Sequence, residues 1–233
     1  MVGVRELTKQ DSGSTLWPYV VYLEAMKTDV TDTGSALTLR ARKRNERRDR
    51  VFAAAIALFV EKGFEETTMD DIAARSGLSR TTVFNHFPRK VHFLEEWTLR
   101  RRLRASQTFE PAGLAGQPVD EVLRSYMIAL AEVSLETPAE TRALQSATLE
   151  YSALLFDHPL ARDLADVVAV TGATLRPTAS PDQVGRLLAL GYFAAVLRWV
   201  EHDPPQFDLK DELVALAHTV LNGALVGADT RDA

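Results

Sequence analysis

Residues 67–87 constrain this chain more than any other stretch. Thr68 followed by Asp71 is a short capping box, and Asp70 and Asp71 stand in a first turn, where the helix dipole favours negative charge. That helix is expected to end near Ser76. Gly77 then supplies the turn, Ser79 caps a further helix from Arg80 to Phe87, and Pro88 stops it. Ile72, Ala73, Leu78, Val83 and Phe87 share one side and are expected inside. Two short helices about a tight turn, the second led by polar and basic side chains, are how a helix-turn-helix addresses the major groove of DNA.

The flanks complete a three-helix head. Seven basic residues lie between Arg40 and Arg50, and Val51, Phe52, Ala55, Ile56 and Phe59 continue as an apolar stripe. The pattern predicts a helix from about Arg44 to Lys62, closed by Gly63. A long helix follows from about Lys90, with Leu94, Trp97 and Leu103 inward. Residues 1–39 carry no sustained period and read as a disordered extension, with Met26 an alternative start. Beyond the head, helices are expected over 119–136, 139–156, 160–176, 181–201 and 209–221, with a break at Asp157-His158-Pro159. No alternation suggests a strand, and no solenoid-period repeat is present. The expected fold is all-α, with a DNA-binding domain over 40–89 and a helical regulatory and dimerisation domain over 90–233.

Charge supports a polyanionic partner for the head alone. The whole chain carries −5, but Arg40–Arg104 holds 16 Lys/Arg against 9 Asp/Glu, and the remainder to the C-terminus holds 8 against 18. A basic segment beside an acidic one points one end at nucleic acid. Cysteine is absent, which removes disulfides, thiolate nucleophiles and cysteine zinc sites. The uncharged run Leu187–Leu197 is too short for a bilayer, and the N-terminus lacks a signal pattern, so a cytoplasmic protein is expected.

In the second short helix, Arg80 suits a guanine edge, and Thr81 and Thr82 offer a hydroxyl, or a methyl to thymine. Asn85, His86 and Lys90 sit where a phosphate would pass, and the amides at the helix start add positive potential. Arg40, Arg42, Lys43 and Arg44 supply further positive charge. Singly, each has a bland alternative: a solvated basic run, a surface histidine, an ordinary helix pair. Their order and spacing together favour DNA.

Over about Arg44–Trp97 the chain resembles the TetR (tetracycline-repressor-like) family of bacterial regulators. The resemblance rests on Ala54 and Phe59-Val60-Glu61-Lys62-Gly63-Phe64, on Thr67-Thr68-Met69-Asp70-Asp71-Ile72-Ala73, on Gly77-Leu78-Ser79, and on Val83-Phe84-Asn85-His86-Phe87 with Lys90 and Leu94. It implies a homodimer on a palindromic double-stranded operator, with Thr68, Ser79, His86 and Lys90 at phosphates and Arg80, Thr81 and Thr82 at bases. Phe84 stands in the DNA-facing set where the family usually has tyrosine, so a hydroxyl contact is missing. Arg89 and Val91 replace the usual serine and acid, which weakens the cap of the next helix.

In the body, Leu187–Val200 is apolar nearly all round, so it is expected to be buried on more than one side. Leu188, Gly191, Tyr192, Ala195 and Trp199 are assigned to a partner subunit, and Leu187, Leu190, Ala194 and Leu197 to the core. The following helix, with Leu213, Leu216 and Val220, is the companion that the family resemblance implies for it in a four-helix dimer interface; the alternative is a central core helix of a monomer. The resemblance also implies a repressor released by an inducer seated inside the body, and Tyr126, Met127, Tyr151, Phe156 and Phe193 are candidate lining for a mostly apolar one. No cofactor and no metal site is expected. An enzyme finds no support: there is no G-x-S-x-G, H-E-x-x-H or P-loop, and His158, His202 and His218, though near acids, lack helical metal spacing. The competing regulatory readings are control by a protein partner without a small-molecule pocket, and activation in place of repression.

Overall fold

The computed structural model describes residues 36–107, 114–151 and 158–225, with side chains from residue 39 and without that of Tyr151. The expected extension up to residue 35, the Tyr151 side chain and Phe156 lie outside the described residues. The fold is all-α. Nine helices run through the described residues: α1 (Ala36–Lys62), α2 (Met69–Ser76), α3 (Arg80–His86), α4 (Val91–Ser106), α5 (Val119–Glu136), α6 (Pro138–Tyr151), α7 (Pro159–Thr171), α8 (Pro181–Val200) and α9 (Leu209–Ala224).

Local chemistry sets these boundaries. Thr68 accepts a hydrogen bond from the Asp71 amide, and Asp71 reaches back to the Thr68 backbone at 2.9 Å, the reciprocal cap that starts α2. Gly77, at φ 65°, ends α2 in the left-handed conformation that a side chain disfavours. Ser180 and Gln183 form the same box at α8, with Pro181 in its first turn. Two expectations need correction. The first helix begins by Ala36, not near Arg44, because the Ser/Thr/Gly-rich stretch gives way there to Ala36, Leu37, Leu39 and Arg40, good helix formers. An Arg42–Glu46 pair at 3.1 Å spans one turn of it. The helix expected to reach Arg176 stops at Thr171, because Gly172 caps it at φ 72°; Leu175 instead makes an isolated bridge to Leu225.

Two apolar clusters hold the molecule together. The first joins Val51, Phe59, Ile72, Val83 and Phe87 of the head to Phe93, Leu94 and Trp97 of α4 and Leu144 and Ala147 of α6. The Phe87 and Phe93 rings stack at 4.1 Å. The core of the head therefore extends past residue 89 and is completed by the body. The second cluster is built by α5, α7, α8 and α9 around Leu123, Met127, Leu164, Leu188, Val196 and Leu213. Helices α7 and α8 approach closely: a Cβ on Gly185 would lie 2.2 Å from the Ala161 carbonyl oxygen and 2.8 Å from the Ala165 nitrogen. Gly185→Val is expected to cost about 3 kcal/mol or more through overpacking against rigid backbone; a melting temperature unchanged from wild type would contradict this.

The two faces of α8 are the reverse of the expectation. Leu188, Tyr192, Ala195 and Trp199 are buried inside their own protomer, as is Leu213 of α9. Gly191 packs against Leu216, whose Cδ atoms would stand 2.5–2.6 Å from a Cβ there, and Val220 is partly buried on the body core. The stripe assigned to the core is the outer one: Leu187 is 56% and Leu190 41% exposed, Ala194 is exposed and Leu197 half-buried. Nearly uniform apolarity left the sequence no period by which to orient this helix.

Candidate nucleic-acid interface and the body cavity

Ser79 fixes the start of α3. Its Oγ accepts from the Thr82 amide at 3.2 Å and shares a hydrogen bond with Thr82 Oγ1 at 2.8 Å. Thr82 is thereby held half-buried against the cap, while Arg80, Thr81 and Asn85 are exposed. Arg80 Nη1 donates to Asp70 Oδ2 at 3.0 Å, and its guanidinium lies 5.4 Å from the centroid of Phe84. Phe84, lacking the hydroxyl, is thus a platform beneath Arg80. An ion pair this exposed is worth about 0–1 kcal/mol, so Asp70 positions Arg80 without preventing its transfer to a base.

The expected phosphate contacts divide. Thr68 is exposed, but its hydroxyl donates to Asp71 Oδ2 at 2.7 Å. Asp71 also binds Lys62 at 2.8 Å, and the hydrogen bonds from Lys62 and Thr68 hold its carboxyl far below the usual range. Lys90 has a structural role that the sequence did not suggest: Nζ donates to the carbonyls of Phe64 at 2.6 Å and Glu65 at 3.0 Å, tying the start of α4 to the turn after α1. Lys90 itself gives α4 no side-chain cap; instead His92 Nδ1 accepts from the Arg89 amide at 3.1 Å. His86 is half-buried, and burial, then Arg48, Arg44 and Arg47, push its pKa down, so the ring is neutral near pH 7.

Arg40, Arg42, Lys43 and Arg44 all stand exposed on α1, a continuous helix. Arg44, Arg47 and Arg48 lie near enough to His86 to perturb it, which joins the basic face of α1 to the end of α3. Arg47 and Arg48 were missed from sequence, although they follow Arg44 by three and four residues, the spacing of neighbours on one helix face. Arg48 also links head to body. It donates to the His86 carbonyl at 3.1 Å and to Glu96 Oε2 at 2.6 Å. Glu96 Oε1 accepts from Arg100 Nε at 2.8 Å, and Arg100 Nη2 reaches Asp49 at 2.5 Å. Burial pushes the Glu96 carboxyl up, but the hydrogen bonds from Arg48 and Arg100 outweigh it, so its pKa lies below the ordinary value.

Further along α4, Trp97, Thr98, Arg101 and Arg102 line a small cavity of about 20 Å³, with Leu130, Gln145, Thr148, His158, Leu160, Tyr192 and Phe193. Of the expected lining, Phe193 is present. Tyr126 and Met127 belong to the core instead: Met127 is fully buried in the body cluster, and the Tyr126 hydroxyl points to Asp163 Oδ2 at 3.5 Å. The polar lining was missed from sequence. Gln145 and Thr148 of the lining, with Thr141 one turn earlier and outside it, recur at helical spacing on α6, all buried, and that spacing was the available signal. Among the described residues, no group of three His, Cys, Asp or Glu is placed to hold a metal.

Comparison with known proteins fits this geometry. Residues 51–97 match the family model for "Bacterial regulatory proteins, tetR family". The chain is 25% identical over 185 residues to the transcriptional repressor KstR of Mycolicibacterium smegmatis, covering 75% of this chain and 87% of that protein. It is 33% identical over 86 residues to the regulator YerO of Bacillus subtilis, spanning 36% of this chain and only 29% of YerO. Among solved structures it is similar to the TetR-family repressor FadR of Thermus thermophilus, in complex with lauroyl-CoA, at TM-score 0.57 and 28% identity, over 80% of this chain and 99% of that one. A TetR regulator from Rhodococcus sp. RHA1 shares the fold at TM-score 0.59 and 18% identity, over 77% and 97% of the two chains. With the family's helix-turn-helix in its head and the fold of these regulators carried through its helical body, the chain belongs to the TetR family of DNA-binding transcriptional regulators.

Proposed function

We propose that the protein is a cytoplasmic homodimeric repressor, with 40–89 as its reading unit and 90–233 as its regulatory unit, held on a palindromic operator through α3 and released by a mostly apolar small molecule. Arg80, Thr81 and Thr82 read bases. Ser79, Asn85, His86 and the basic face of α1 (Arg40, Arg42, Lys43, Arg44, Arg47) meet phosphates, joined by the third proton of Lys90 Nζ and by Thr68 once its hydroxyl turns from Asp71. The subunits meet across Leu187, Leu190, Ala194 and Leu197 of α8 and the outer face of α9. Repression is supported by the name of KstR, and response to a ligand by the lauroyl-CoA complex of FadR.

One observation carries the mechanism: α4 serves both ends. Glu96 and Arg100 grip the head, and Trp97, Thr98, Arg101 and Arg102 face the cavity. Arg102 pairs with Asp163 of α7 at 2.6 Å, so α4 is also fastened to the body. A molecule that enlarges the cavity moves α4 and re-spaces two heads that must enter major grooves about 34–36 Å apart. The cavity has room for little more than one water, and that favours a second reading, a DNA-binding regulator governed by a protein partner. Activation is a matter of operator position.

Genomic fragments selected on the purified protein, followed by gel shift in low salt, test the reading. Arg80→Ala is expected to weaken operator binding by about 1–3 kcal/mol and to relax preference at one base pair. A folded protein that shifts no native fragment refutes DNA reading, and an equal loss on all sequences removes Arg80 from base contact.

A further inference from the structure

Three polar side-chain atoms around the cavity are buried without a hydrogen-bond partner: Thr98 Oγ1, Gln145 Nε2 and His158 Nε2. Buried polar groups are ordinarily satisfied, so three orphans on one small void mark a place prepared for something. All three can donate, and two of them only donate. Gln145 Nε2 is an amide NH2. His158 Nδ1 accepts from the Leu160 amide at 3.0 Å, which leaves the proton of the neutral ring on Nε2. Burial, then Arg102, hold that ring far below its ordinary pKa, at about 3, so it stays a neutral donor. The Thr98 hydroxyl donates or accepts as required.

Arg101 lies on the same wall, only 8% exposed. Its guanidinium sits 4.5 Å from the Trp97 ring and donates to Thr137 Oγ1 at 3.0 Å and Ser134 Oγ at 2.7 Å. Among the described residues it has no carboxylate partner, unlike Arg48, Arg100 and Arg102. A buried cation without a counter-ion is costly unless an anion completes it. Trp97, Leu130, Leu160, Tyr192 and Phe193 make the rest of the wall apolar.

We propose that this cavity binds an apolar monocarboxylate, whose carboxylate oxygens accept from Gln145 Nε2, His158 Nε2 and Thr98 Oγ1 and supply the anion that Arg101 lacks. This rests on the reading that the body binds a ligand, and it names that ligand's class. The bound molecule is larger than the void, so binding separates α4 from α6 and α8. That gives it the preference for one conformation that release from DNA requires.

The experiment is calorimetry on the full chain with octanoate and phenylacetate, set against octanol, octylamine and phenylacetamide. The carboxylates are expected to bind at least about tenfold more tightly than their neutral and cationic counterparts, as charge-assisted hydrogen bonds require. Gln145→Leu, which removes an orphaned donor at nearly constant volume, is expected to stay folded by circular dichroism and to lose about tenfold in carboxylate affinity. Arg101→Met is the stronger test if it folds; Gln145→Leu decides the matter if it does not. Absence of carboxylate binding at millimolar concentration, equal binding of octanol, or full binding by Gln145→Leu overturns the proposal and leaves the void as a water site. Gel shift of the unliganded protein runs alongside. A protein that shifts its operator but binds no carboxylate loses this inference alone, whereas one that shifts nothing loses the regulator reading.

Discussion

Leu190→Asp is expected to yield a folded monomer that no longer holds the operator. Leu190 lies on the outer stripe of α8 with Leu187, and both are large apolar side chains in water in the isolated protomer. In a dimer that pairs these stripes, the substitution sets a carboxylate against its symmetry mate in an apolar seam, which costs several kcal/mol in association. A single head then competes for one half-site without the tethering that makes the second contact effectively intramolecular, a loss of roughly 100- to 10,000-fold in operator affinity. Sedimentation gives the mass, circular dichroism the fold and gel shift the binding. An unchanged dimer would move the interface to another face. Trp199→Asp is not an equivalent probe, since Trp199 is buried in the body core; it is expected to unfold the body.

Glu96→Leu is the second large effect. The carboxylate lies between Arg48 and Arg100, at 2.6 and 2.8 Å, and is only 8% exposed. Leucine leaves two guanidinium groups facing each other, with Asp49 the one remaining acid in the cluster. Both arginines are more than one third exposed, so solvent screens part of the loss. A destabilisation of about 2 kcal/mol, or a fall in Tm of about 4–8 °C, is expected. The pH dependence has a definite sign. The folded pKa of Glu96 is depressed, so its stabilisation is full above the unfolded value of about 4.3 and fades as the pH falls through the lower folded value. Glu96→Leu is therefore expected to lose part of the acid sensitivity of wild type. Thermal melts from neutral to acid pH check this, and parallel curves for the two proteins would exclude Glu96 as a source.

What the sequence disclosed, and what it withheld, follows from how each feature is encoded. The cap at Thr68, the turn at Gly77, the stop at Pro88 and the bounds Val119–Glu136 depend on neighbours in the chain and were read correctly. The orientation of α8 depends on which of two apolar stripes meets α7 and α9, and local composition does not carry that choice. The cavity has the same origin. Thr98 comes from α4, Gln145 from α6 and His158 from the start of α7, and none is distinctive alone. Lys90 shows the converse: its place in the family motif suggests a phosphate, but the carbonyls that hold it lie 25 and 26 residues earlier in the chain.

Trp97 belongs to the apolar cluster of the head and to the wall of the cavity at once, with its indole Nε1 donating to Glu140 at 3.3 Å and a guanidinium on its face. Fluorescence from an indole so placed is quenched and shifted by what happens to that cation and that hydrogen bond. The chain thus contains a native optical gauge at the joint between its two ends, and the emission of Trp97, isolated by replacing Trp17 and Trp199 with phenylalanine, would follow occupancy and head movement in one spectrum without an added dye.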